Sequence, residues 1–109
     1  MELWEAADKF SILRVKAEKG LDVDGHFTRY EDATAKVPKE LIWELYEVNK
    51  AMFEMEDIIS FAFERKDFEM AGHLYHALRG MTHIRTKAKH KVAEWAKEPL
   101  EVKKYGNGY

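Results

Sequence analysis

One pattern constrains this chain more than any other. Leu41, Leu45, Val48, Met52, Met55, Ile59 and Ala62 recur in alternating steps of four and three, without a break. Such steps keep side chains on one face of an α-helix, because each residue turns the helix by about 100°. A strand would need a step of two. A second run follows the same rule: Ala71, Leu74, Leu78, Met81, Arg85, Ala88, Val92 and Trp95. Arg85 is its one charged member. Seams of this kind are what a helical bundle buries. Pro38 stands where a helix can begin, and Pro99 where one must stop. Only Arg65, Lys66 and Asp67 separate the runs, and Asp67 suits a helix N-cap. The pattern predicts helices over about 38–64 and 68–96, folded as a long antiparallel hairpin.

A further helix is expected over about 2–19. Leu3, Ala7, Phe10, Leu13 and Ala17 share one face, and Gly20 suits its C-terminal end. Trp4, Ile12 and Val15 fall on another side, so this helix needs cover on more than one face. Residues 20–37 lack a helical period and read as a long connection, with a short helical turn around Tyr30–Ala35. The expected fold is therefore an all-α small helical bundle of three main helices. It forms a single domain over 1–98, followed by a loose tail at 99–109.

Composition narrows the setting. A 46% hydrophobic, 35% charged chain of 109 residues has the balance of a globular domain. The net charge of -2 gives no overall pull toward nucleic acid. No cysteine is present, which removes disulfides and thiolate metal sites. The opening residues MELWEAADKF lack the pattern of a secretory leader. No apolar run approaches the ~20 residues that span a bilayer. These features suit a cytoplasmic protein, bacterial or in an infected host cell, with no membrane partner.

The polar residues carry the rest. His76, His83 and His90 stand seven residues apart, about 160–200° from the seam, and read as an outer face. Glu69, His73 and His76 share part of one face near the start of the same helix. They offer a weak alternative, a metal site with no visible fourth ligand. Arg85 is the sharper anomaly, because a buried unpaired guanidinium costs several kcal/mol. Lys89 sits beside it. The hairpin register brings Asn49 roughly level with Arg85, and Glu56 flanks the seam further along. One reading is an ion pair that fixes register. The other is a polar pocket in which Arg85 and Lys89 receive a phosphate or carboxylate. Trp43 and Phe61 point away from the seam, and Trp4 lies on the second apolar face of the first helix. All three suggest a homo-oligomer interface.

Three segments also carry a resemblance: ADKFSILRVKAEK (7–19), VNKAMFEMEDII (48–59) and LYHALRGMTHIRTKAKHKV (74–92). They are similar to the three blocks of a family of short helical bacterial and phage proteins whose activity is unassigned. The resemblance implies Asp8, Lys9, Lys16, Asn49, Glu56, Asp57, Arg85 and Lys89 as the residues of interest. Thr82–His83 stand where the family pattern has Asn-Asp, and Ser60 where it has arginine.

Three functions compete at this level. The first is a non-catalytic homo-oligomer that binds a small anionic ligand, such as a nucleotide, through Arg85, Lys89, Asn49, Glu56, Asp8 and Lys16. It implies no cofactor or metal. The second is an inhibitor or adaptor that contacts a host protein. The third is an all-α nucleoside triphosphate pyrophosphohydrolase, imitated by Glu44-xx-Glu47 and Glu64-xx-Asp67. From Glu40 to Glu69 there are nine acids against three bases, and from Met70 to Ala93 no acid. Nucleic acid stays an unlikely partner despite that local basic stretch.

Overall fold

The computed structural model describes residues 1–23 and 25–99. Every regular element among them is an α-helix. There are four: α1 (Leu3–Glu18), α2 (His26–Ala33), α3 (Lys39–Glu64) and α4 (Phe68–Ala96). The expectation of three helices is corrected by α2, which starts earlier than the helical turn expected near Tyr30–Ala35. An eight-residue helix is only about two turns long, too short to show a repeat. It docks on α1, with the Phe10 and Phe27 rings 5.3 Å apart. Among the helices it packs on α1 alone. The tail expected to be loose lies, from residue 100 onward, outside the described residues.

The longest contact runs between α3 and α4. Lys91 meets Glu44 at 2.9 Å near one end, and the Phe63 and Phe68 rings lie 6.0 Å apart at the other. Asp67 caps α4 by accepting the Met70 N–H at 3.1 Å. Leu45 and Val92 are fully buried, with Ala7, Val37 and Ala88 packed around them. Two of those positions, Ala7 on α1 and Ala88 on α4, are alanine, which lets the helix axes approach closely. No helix among the described residues is long and apolar enough to cross a membrane.

α1 differs from its sequence-based face. Ala6, Ala7, Asp8, Phe10, Ser11 and Val15 are buried, while Leu13 is only partly covered and Ala17 is exposed. Two polar side chains therefore occupy the buried stripe. Each is satisfied there: the Ser11 hydroxyl donates to the Ala7 carbonyl at 2.9 Å, and Asp8 meets partners on both long helices. Polar groups at packing positions hide the true stripe from a hydrophobicity pattern.

Three helices end alike. Gly20, Lys66 and Lys97 take left-handed φ values of 79°, 62° and 58°. In each case the next residue's N–H returns five residues, from Leu21 to Lys16, Asp67 to Ala62 and Glu98 to Ala93. This closes the last turn and satisfies carbonyls left free by the helix end.

Candidate functional site

The strongest polar constellation joins α1, α3 and α4. Asp8 accepts from Arg85 twice, Nε at 3.1 Å and Nη2 at 2.5 Å. Asn49 Nδ2 donates to Asp8 Oδ1 at 3.0 Å. The side chains of Arg85 and Asp8 are 26% and 9% exposed. A fork of two parallel bonds to a carboxylate is the strongest geometry an arginine has. So Arg85 does meet a carboxylate at its seam position, but the carboxylate comes from α1. Beside it lies a cavity of about 120 Å³, lined by Ile12, Val15, Asn49, Met52, Phe53, Glu56 and Arg85. At ~30 Å³ per water, that is room for roughly four waters. The charged groups around it are two carboxylates and one guanidinium. That balance gives an incoming anion no net attraction.

The remaining sequence-selected residues disperse. Lys89 Nζ stands 5.7 Å from the Trp4 ring. Lys16 faces away from the constellation, into a hollow between α1 and α2 shared with Lys9, Ile12, Leu13, His26 and Tyr30. Trp4 packs half-buried against the core, and its indole N–H is buried with no acceptor among the described residues. Its backbone N–H donates to Glu98 at 3.1 Å. His76 and His83 are exposed, but His90 is half-buried with Nε2 shielded from water. The seven-residue spacing is thus not one solvent-facing stripe. Glu69 and His73 approach only to 4.0 Å, both largely exposed. Among the described residues no three histidine or carboxylate groups are placed to hold a metal.

Trp43 is 52% exposed and stands between two open grooves. One, of about 860 Å³, runs toward α1 and the 34–37 segment along Phe10, Val37 and Ile42. The other, of about 570 Å³, lies over α3 and α4 along Val48, Met81, Ile84 and Ala88. Acids of α3 (Glu40, Glu44, Glu47) and lysines of α4 (Lys87, Lys91) rim them. Phe61 is 56% exposed on the same face of α3, five turns away, with Arg65 over its ring at 5.4 Å.

Sequence reasoning missed two residues. The Tyr46 hydroxyl donates to Glu18, and its ring lies 4.7 Å from the Arg14 guanidinium and 5.2 Å from the Trp43 ring. Bonding to Glu18, reinforced by burial, raises its pKa above the ordinary tyrosine value. Glu98 accepts the Leu3 N–H at 2.6 Å and caps α1 from the far end of the chain. Position beside the Leu45 seam could have marked Tyr46. Nothing local marks Glu98.

Comparison with protein-family models, with curated proteins and with solved structures returned no match.

Proposed function

We propose that this chain is a non-catalytic helical protein that associates with a second copy of itself through the surface around Trp43. The exposed indole between two apolar-lined grooves carries this reading. Large aromatics at the centre of an apolar patch anchor protein interfaces. The charge pattern favours a second copy over an unrelated partner. A twofold axis near Trp43 would set the acidic rim of α3 in one copy against the lysine rim of α4 in the other. Light scattering of the eluted protein tests it. The chain should behave as a dimer, and Trp43→Asp should give a monomer with unchanged helix content. A wild-type chain that stays monomeric at its highest soluble concentration defeats the proposal.

A second reading, the binding of a small anion, draws support from the basic hollow between α1 and α2. Arg85 supports it less, because its guanidinium forks onto Asp8. The pyrophosphohydrolase reading has no such support. Glu47 and Glu64 are 17 residues apart on α3, or about 25 Å, too far for one magnesium cluster.

A further inference from the structure

Lys9 and Lys16 lie two turns apart on one face of α1. His26 and Tyr30 lie one turn apart on α2, facing the same space. Between the helices is a hollow of about 280 Å³, floored by Ile12 and Leu13. Two lysines on a helix are ordinarily solvated charge. Here three further facts set them apart.

First, among the described residues no acid lines this hollow. Two of α1's acids are engaged elsewhere: Asp8 holds Arg85 and Asn49, while Glu18 accepts from Tyr46 and lies 3.7 Å from Arg14. Among the described residues Lys9, Lys16 and His26 form no ion pair. Second, a different helix supplies two more donors, the His26 imidazole and the Tyr30 hydroxyl. The Arg29 guanidinium 5.9 Å from the Tyr30 ring adds positive charge nearby. Third, the hollow is not purely polar. Ile12, Leu13 and the Tyr30 ring offer an apolar wall beside the cations. Small-molecule sites combine such walls with a few convergent polar groups, at volumes of roughly 300–1,000 Å³. At about 280 Å³, this one lies just below that range, a size for a small ligand.

We propose that the α1–α2 hollow binds a small phosphate monoester. The lysine ammonium groups, His26 and Tyr30 would take the phosphate oxygens, and the apolar wall would take one ring or a short chain of the organic part. The positive end of α2, at His26, favours the same charge. The inference rests on the small-anion reading and is independent of self-association.

Thermal unfolding of the full chain tests it, with adenosine monophosphate and inorganic phosphate as probes and sodium chloride at matched ionic strength as control. Binding to the folded state must raise the melting temperature. Saturating adenosine monophosphate should raise it by at least about 4 °C, more than phosphate, with the chloride control flat. The double variant Lys9→Ala, Lys16→Ala exchanges an exposed and a half-buried lysine and should fold normally by circular dichroism. It should lose the shift, whereas Lys89→Ala should keep it. A shift that survives the double variant would remove the site but leave the anion reading standing. Equal shifts from monophosphate and inorganic phosphate overturn the monoester assignment. No shift from either probe overturns both.

Discussion

The two ends of the α3–α4 pair follow the same four-three seam, yet they are built differently. At the end that holds Leu45 and Val92, α1 lies across both helices and closes a core. Its reach is short: sixteen residues against twenty-nine in α4, about 24 Å against 43 Å. Lys19, just past its last turn, is 3.9 Å from Glu54. Toward the 65–67 turn only Ile59, Ala62 and Ala71 are buried, while Ile58, Phe61, Phe63, Phe68, Met70 and Tyr75 are exposed. A seam read from sequence says which residues face a partner helix. It does not say whether a third helix will cover the remaining sides.

The covered end is also where charge is buried, and the largest expected effect lies there. Arg85→Ala should cost about 3–5 kcal/mol in urea unfolding, because it strands the Asp8 carboxylate. Replacing both partners, Asp8→Leu with Arg85→Met, should recover most of that loss. If the double variant is as unstable as the single one, the pair does more than neutralise itself. Next comes a direct comparison of the two ends. Leu45→Ala should fall high in the ~2–5 kcal/mol range for such truncations, and Ile59→Ala low in it. Equal losses would show that the thin end is as tightly packed as the covered one. Lys66 sits at the thin end with a left-handed φ of 62°. Lys66→Gly should relieve that conformation and stabilise by about 1 kcal/mol, read as a shifted urea midpoint. The smallest effect is a pH dependence at the covered end. Tyr46 holds its proton more tightly when folded, so its contribution is complete below the ordinary tyrosine value of 10.0. It is lost as pH rises through the raised folded value. Stability should fall in alkali, and Tyr46→Phe should flatten that slope.

Periodicity made α3 and α4 legible, since apolar residues repeat over six turns or more. α2 was hidden by its length. The inner face of α1 was hidden because Asp8 and Ser11 sit where leucine would have announced it. Arg85 was conspicuous as a charge in a seam, but its partner was not. Hairpin register alone brings Asn49 level with it, whereas Asp8 arrives from a helix 77 residues away in the chain. The basic hollow was half legible: Lys16 was singled out and His26 was not, because only the docking of α2 brings the two together. Long-range side-chain meetings leave no period to read.

Glu98 gives the fold a timetable. The free N–H groups that open α1 wait for a carboxylate 95 residues downstream. A ribosome adding roughly 5–20 residues per second needs about 5–20 s to cover that distance. Throughout that interval α1 exists without its cap, and without Arg85 to meet Asp8 until shortly before the end. α1, made before α3 and α4, is therefore secured only after them, so the native arrangement locks only once α4 has been fully synthesised.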